Sequence, residues 1–340
     1  MRVTVARERG APLDEALSAL LGVEPYLAYA NFPPIGDRTR DLHRRWWLGA
    51  AEGQGALVAR DDAARPLATL RLERRAFESS HFDMPIAKLD APIAVADETL
   101  RLPALRTLYR TAWDTLRDAG FRHLSALAST QDRVACWALQ ELGAFHVGTK
   151  ISWMQPLSGG ELEPLTPSLR MTVHEGDAIR TLPRDSWRRL LEWTGRAFDR
   201  GPFVFDLAVP VERASAVYQV WTEKAFTGEW ADVLVSIWDG DDIVAFHAVL
   251  LLRDLSEAAR VGILGRGIGA TLPGYHGLFT ALQKACSTLR PLGAAWLEDE
   301  AQASTIASIN VFGRLGHRCL RSTANFHGPL DPAPPPRRRG

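Results

Sequence analysis

The chain of 340 residues repeats itself, and no other feature limits its possible folds so strongly. Shifting the sequence by 173 residues pairs Leu105 with Leu278, Thr107 with Thr280, Ala112 with Ala285, Thr115 with Thr288, Leu116 with Leu289, Arg117 with Arg290 and Gly120 with Gly293. The match continues without a gap through Leu124 and Leu297, Leu142 and Leu315, Gly143 and Gly316, Pro156 and Pro329, and Leu157 and Leu330. Trp153 meets another aromatic residue, Phe326. Because these identities fall at equivalent points of one helix-strand-helix-strand pattern, they point to a duplicated domain.

The local signals give the pattern its elements. In the first copy, Arg106 to Ala119 has helical periodicity and stops at Gly120, a residue suited to a left-handed C-terminal cap. His123 to Ala128 reads as a strand, Asp132 caps a helix running to Leu142, and Gly143 ends it before a strand from Phe145 to Met154. The second copy repeats this as helix Leu278 to Leu289, strand Ala295 to Glu298, helix Thr305 to Leu315 and a strand reaching His327. Upstream, Val233 to Trp238 and Ile243 to Leu252 flank the turn Asp239-Gly240-Asp241-Asp242, and Leu57 to Arg60 with Leu67 to Leu72 form the matching hairpin. The expected fold is α+β: two tandem domains, each a mixed, mainly antiparallel sheet flanked by helices. The expected domains span residues 1–157 and 168–330, with a linker at Ser158-Gly159-Gly160 and a disordered Pro- and Arg-rich tail over 331–340.

Forty basic and forty acidic side chains cancel, so no overall field draws the chain to nucleic acid or an anionic membrane. Hydrophobic residues at 46% and charged ones at 24% suit a globular protein, and no apolar run nears the ~20 residues that span a bilayer. Cys136, Cys286 and Cys319 are odd in number and lack metal-type spacing, and Met1-Arg2-Val3-Thr4-Val5 does not begin a signal peptide. These features lead to the expectation of a cytoplasmic monomer or homodimer that uses no metal. The tryptophans Trp46, Trp47, Trp187, Trp193 and Trp221 are expected to pack in the core or between domains.

The run Thr305-Ile306-Ala307-Ser308-Ile309-Asn310-Val311-Phe312-Gly313-Arg314-Leu315-Gly316-His317 resembles the helix ending in Leu-Gly of the GNAT acyl-CoA N-acyltransferases. Asp132 to Ala144 follows the same template in the first copy. Three further stretches resemble the sugar-nucleotide N-acetyltransferases of the dTDP-fucosamine type. They are Glu78-Ser79-Ser80-His81-Phe82, Phe205-Asp206 through Pro210 to Tyr218-Gln219-Val220-Trp221, and Asn325-Phe326-His327.

The resemblance implies acetyl-CoA or another acyl-CoA as co-substrate and a small amine acceptor, such as an amino sugar or sugar nucleotide. It leaves open an amino acid, a peptide or another biosynthetic amine as acceptor, and also a catalytically inactive ligand- or partner-binding pair. It places the pyrophosphate at Gly274, Tyr275, His276, Gly277, Leu278 and Phe279, where free N–H groups at a helix start face the anion. Gly277 holds the first glycine of the family's loop, whereas Gly274 replaces a Gln or Arg and Phe279 a small residue. The first copy has Leu100-Arg101-Leu102-Pro103-Ala104-Leu105 there, without glycine, and is not expected to bind CoA. Gly265-Arg266-Gly267-Ile268-Gly269 is a rival glycine loop, but Pro273 would interrupt a helix beginning after it, so Val261 to Gly269 is read as a strand.

Transfer to an amine needs a path for the amine proton, a donor for the oxyanion and an acid for the leaving thiolate. The family's acid is a helix tyrosine, and Phe312 occupies that place. Tyr275 and His327 are candidate substitutes, and Glu298, His247 and His327 are candidate bases.

Overall fold

The structure is a computed structural model that describes residues 2–50, 55–161, 165–198 and 201–330. The sequence reading of residues 331–340 therefore lies outside the described residues. In chain order the elements of the first repeat are β1 (Thr4–Glu8), α1 (Gly10–Leu21), α2 (Thr39–Ala50), β2 (Ala56–Arg60), β3 (Pro66–Arg74), α3 (Ala76–Phe82) and β4 (Ile86–Leu89). Then come β5 (Ile93–Ala94), α4 (Glu98–Asp118), β6 (His123–Ser129), α5 (Arg133–Glu141) and β7 (Phe145–Pro156). The second repeat has β8 (Leu169–Glu175), α6 (Arg184–Ala197), α7 (Val211–Phe226), β9 (Val233–Asp239), β10 (Asp242–Leu251) and α8 (Arg253–Ala259). It ends with β11 (Ile263–Thr271), α9 (Leu278–Thr288), β12 (Trp296–Gln302), α10 (Ile306–Arg314) and β13 (Arg318–Pro329).

The offset of 173 carries β6 onto β12, α5 onto α10 and β7 onto β13 with both ends matching to the residue. Upstream the offset is 177, and it carries α3 onto α8. One hydrogen bond marks this equivalence. The Ile86 amide donates to Ser79 Oγ at 2.9 Å, and the Ile263 amide donates to Ser256 Oγ at 2.9 Å, so each short helix is tied to the next strand by a serine. Both helices end on a left-handed non-glycine residue, Asp83 or Arg260.

The compact units do not coincide with the repeats. Unit 1 comprises residues 1–149 and 322–340, and unit 2 comprises 150–321. The first repeat's closing strand, β7, runs out of unit 1, and its residues 150–156 pair antiparallel with β12 of unit 2. In return, residues 323–329 of β13 pair antiparallel with β6 of unit 1. The sheet of unit 1 is ordered β1-β2-β3-β4-β6-β13, and that of unit 2 is β8-β9-β10-β11-β12-β7. In each sheet one neighbouring pair is parallel, β4 with β6 and β11 with β12. Ser158-Gly159-Gly160 is not a free linker, because its three amides donate to Ser287 and Thr288 at the end of α9 and Leu157 is buried in the core of unit 2.

Unit 1 packs α4 and α5 on its sheet through Leu105, Leu108, Ala112, Leu116, Ala135 and Leu139. Unit 2 centres on β9 and β10, whose runs Val233–Trp238 and Ile243–Val249 are buried throughout and apolar except for Ser236 and His247, because both faces are covered. Helix α4 begins eight residues before the expected Arg106, across Pro103. Asp97 caps its start by accepting from the Thr99 amide, and Pro103 lies near enough to the N-terminus to be accommodated.

The early turn of α4 buries Arg101, which is 1% exposed. Its guanidinium reaches Glu24 at 3.2 Å and Asp132 at 2.5 Å, and it also donates to the carbonyls of Ala94 and Val95. Asp132 in turn caps α5 through the Ala135 amide. One cation thus joins the loop after α1, the start of α4 and the start of α5. Arg101→Met leaves two buried carboxylates without their cation and is expected to lower unfolding free energy by about 3–5 kcal/mol, as measured by urea denaturation. A loss below ~1 kcal/mol, the value of an exposed pair, would show that the network is not structural.

Candidate active site

Unit 2 contains an interrupted strand pair. β11 and β12 run parallel, but their register covers only Ile263 with Trp296 and Leu264 with Leu297. β12 remains paired along its whole length with β7 on its other side, so the opening lies between β11 and β12. A bulge in β11 accompanies it. The register with β10 shifts between Ala248 and Leu250, and Arg266 adopts a left-handed φ of 53°. The expected strand over Val261 to Gly269 is thus β11, and its glycines have a steric role. A Cβ on Gly267 would collide with His247 Nε2 and lie 3.1 Å from the Ala248 carbonyl oxygen. A Cβ on Gly269 would lie 2.9 Å from the Phe246 carbonyl oxygen. These glycines leave room for the imidazole of His247 against β11.

The segment from Pro273 to Gly277 leads into α9, and Pro273, Gly274, His276 and Gly277 are exposed. Gly274 turns the chain at φ 88°, a conformation that demands glycine. Gly277 differs, with φ −63° and no heavy atom within 4 Å of an added Cβ, so the fold itself does not require glycine there. α9 begins at Gly277 without a side-chain cap, and its first turn carries no acidic residue. The Leu278 and Phe279 amides are already turned to the Tyr275 and His276 carbonyls at 2.9 and 3.4 Å, so what this end offers an anion is the positive end of the helix dipole. The Tyr275 hydroxyl donates to Asp239 at 2.6 Å, and this bond raises its pKa, so the phenol clasps the loop to the β9–β10 hairpin. Leu278 and Phe279 form the first turn of α9, and Phe279 lies 6.3 Å from Phe312.

In unit 1 the same region is helix. Under the offset, Arg101 stands at the place of Gly274, and residues 98–104 are already within α4 where 271–277 form a strand end and loop. The buried Arg101 network fixes that difference.

On β12, Glu298, Asp299 and Glu300 divide between the two faces. Glu298, 1% exposed, meets Arg321 at 3.2 Å. Glu300 meets Lys150 at 2.8 Å and accepts from Ser152 at 3.0 Å. Burial pushes the Glu300 pKa upward, but Lys150 and Arg321 outweigh it and hold the carboxyl below its ordinary value. Asp299 belongs to the other face, where its Oδ1 is 3.4 Å from His247 Nε2 and its Oδ2 3.8 Å from His317 Nδ1. Burial, reinforced by the charges of Glu298 and Glu300, pushes Asp299 up to about 7. Burial pulls His317 down to about 4, and burial with the neighbouring His317 pulls His247 down to about 4.

Of the residues expected at the site, unit 2 holds Glu298, Tyr275, His247 and the segment Gly274 to Phe279. It does not hold His327. That histidine is in unit 1, paired in register with Ser125, and its ring meets His123 edge-on at 5.3 Å. The exchange of closing strands, which repeat alignment could not reveal, moves it out of the second repeat's sheet. Sequence reasoning did not single out Asp299, which lies inside the acidic run Glu298-Asp299-Glu300, or His317, which follows Leu315-Gly316.

No protein family's sequence profile matches the chain, and no curated protein sequence does. Solved structures do match. A GCN5-related N-acetyltransferase from Sphaerobacter thermophilus aligns at a TM-score of 0.58 and 16% identity, covering 97% of this chain and 96% of that one. A tandem GNAT protein from the clavulanic acid biosynthesis pathway aligns at 0.54 and 13%, covering 98% and 100%. The chain has a tandem GNAT fold. A GCN5-related glucosamine N-acetyltransferase region of a fungal multi-domain β-N-acetylglucosaminidase also shares the GNAT fold, at 0.58 and 13%, over 96% of this chain and 38% of that protein. Among the described residues, no helix is long and apolar enough to cross a membrane.

Two outcomes test this geometry. Gly267→Ala is expected to destabilise the protein by about 1–3 kcal/mol through overpacking, and His247→Ala in the same chain should recover part of that loss. Additive losses in the double variant would break the proposed link between glycine and imidazole. Asp299, raised from 3.8 to about 7, keeps its proton when folded across a window in which the unfolded chain has lost it, so its contribution to stability falls as pH rises from about 4 to about 7. The two histidines act in the opposite direction between about 4 and 6.5. Asp299→Asn should therefore gain stability relative to wild type as pH rises through 4 to 7 in urea titrations. The reverse slope would mean that Asp299 is ionised in the folded protein.

Proposed function

We propose that unit 2 binds an acyl-CoA, with acetyl-CoA as the simplest donor, and transfers its acyl group to the amine of a small acceptor. The parting of β11 from β12 beside an uncapped helix start carries this reading. The strand edges offer unpaired backbone groups to an extended, amide-bearing chain, while the start of α9 suits that chain's pyrophosphate. A backbone N–H of the bulged strand would hold the oxyanion that forms during attack. Gly277 supports this placement, because a glycine that the fold does not require can serve a closely approaching ligand.

Glu298 is the base we assign. It lies on β12 at the opening, where Arg321 holds its carboxyl at 3.2 Å and sets its direction. An amino sugar or sugar nucleotide is the acceptor class we favour, supported by the glucosamine N-acetyltransferase region that shares this fold. Unit 1, with helix in place of the loop, acts as scaffold in this reading.

Calorimetric titration with acetyl-CoA and CoA tests the proposal. Saturable binding is expected in the wild type and should be lost in Gly277→Trp, whose circular dichroism and melting should remain unchanged because the added side chain points into open space. Absence of wild-type binding at millimolar ligand would overturn the acyl-CoA reading. Binding that survives Gly277→Trp would place the ligand elsewhere.

A further inference from the structure

The face of β12 that carries Asp299 presents a cluster in which four buried polar atoms have no hydrogen-bond partner: Asp299 Oδ2, His317 Nδ1, His317 Nε2 and Gln283 Oε1. Native proteins rarely leave such atoms unsatisfied, because a buried polar group without a partner destabilises the fold. Three of them lie on two residues that face one another, since His317 Nδ1 is 3.8 Å from Asp299 Oδ2.

One arrangement of protons satisfies the surrounding contacts. His247 Nδ1 lies 3.3 Å from the Gln283 side-chain nitrogen and 3.3 Å from Cys286 Sγ. With the Gln283 amide nitrogen donating and the thiol kept protonated by burial, we assign Nδ1 as the acceptor. The ring proton of His247 is then on Nε2, 3.4 Å from Asp299 Oδ1. Oδ1 accepts, which leaves Oδ2 to carry the acid proton and to face His317 Nδ1. A neutral His317 whose Nδ1 faces that acid at 3.8 Å without a proton has its own proton on Nε2. The ring of His317 stacks on Phe312 at 5.0 Å and 24°. Phe279, in the first turn of α9, meets the same phenylalanine at a tilt of 55° with ring centres 6.3 Å apart.

Resting on the acyl-CoA reading above, we propose that Asp299 and His317 form the proton-donating pair that neutralises the CoA sulfur as the acyl group departs, with His247 positioning Asp299. As the carbon–sulfur bond breaks, its electron pair stays on sulfur, and sulfur takes the proton from His317 Nε2. His317 Nδ1 takes the proton from Asp299 Oδ2, and the resulting carboxylate retains the His247 Nε2–H bond. The pair regains one proton from water, which matches the proton the amine loses as the amide forms. Phe312 provides the flat wall that orients the imidazole, and Phe279 is the ring that turns aside to admit the thioester. In this scheme His317 is the catalytic residue, and Asp299 and His247 are positioning residues that act through it.

The test compares CoA with desulfo-CoA, which lacks only the sulfur. In calorimetry the wild type is expected to bind CoA about tenfold more tightly, the ratio given by one hydrogen bond to sulfur. His317→Gln and Asp299→Asn should remove that ratio while leaving desulfo-CoA affinity unchanged, an outcome a merely structural role would not produce. Because a variant could fail to fold, the wild type labelled with 15N-histidine supplies a second reading by NMR. The His317 Nε2 resonance should move on adding CoA and remain in place on adding desulfo-CoA. Equal affinities together with an unmoved Nε2 resonance would overturn the proton pair while leaving the acyl-CoA reading intact. Failure of both ligands to bind would overturn that reading and the pair with it.

Discussion

A parallel strand pair that stops after two residues leaves backbone donors and acceptors that the sheet does not satisfy. In unit 2 this interruption lies between β11 and β12, and the neighbouring features are arranged around it. The bulge at Arg266 bends β11, and Gly267 and Gly269 allow His247 to press against the strand. β12 keeps its shape because β7 pairs with it over seven residues, from Lys150 to Pro156. Without that partner, β12 would be an edge on both sides beyond Leu297, and its acidic residues would have no fixed direction.

Duplication supplied the framework, and small local changes separated the two copies. The end-to-end match of β6 with β12, α5 with α10 and β7 with β13 shows that packing constraints preserved these elements while most side chains diverged. The connection before the central helix diverged most. In unit 1 a buried arginine with two carboxylates stabilises extra helical turns, whereas in unit 2 Pro273 and Gly274 keep the same stretch open. One arrangement favours rigidity and the other leaves a helix start available to an anion.

The acidic run on β12 shows how strand alternation separates chemically identical groups. Glu300 faces Lys150 and Arg321, which hold it ionised, while Asp299 one residue earlier faces imidazoles and aromatic rings, and its carboxyl is pushed up to about 7. Below about pH 7 a carboxylate and a neutral carboxylic acid thus coexist on adjacent residues. The difference arises from burial without a counter-charge, because in a poorly polarisable environment the uncharged forms of both Asp299 and the histidines are favoured.

The sequence by itself determined the duplication, the α+β class, most element positions, the β11 strand and the glycine-bearing segment before α9. These follow from local rules: helical and strand periodicity, caps such as Asp132, and glycine or proline where the chain must turn. Tertiary structure alone decided which strand closes which sheet, because β7 and β13 carry the same local pattern and only packing of whole units chooses between staying and exchanging. That choice placed His327 in unit 1. It also took three-dimensional packing to show that Tyr275 is committed to Asp239, and that Asp299, His247 and His317 meet although they lie 52 and 18 residues apart along the chain. Spacing in sequence encodes the direction of a side chain within its own element, whereas its partners and its proton depend on the other elements packed against it.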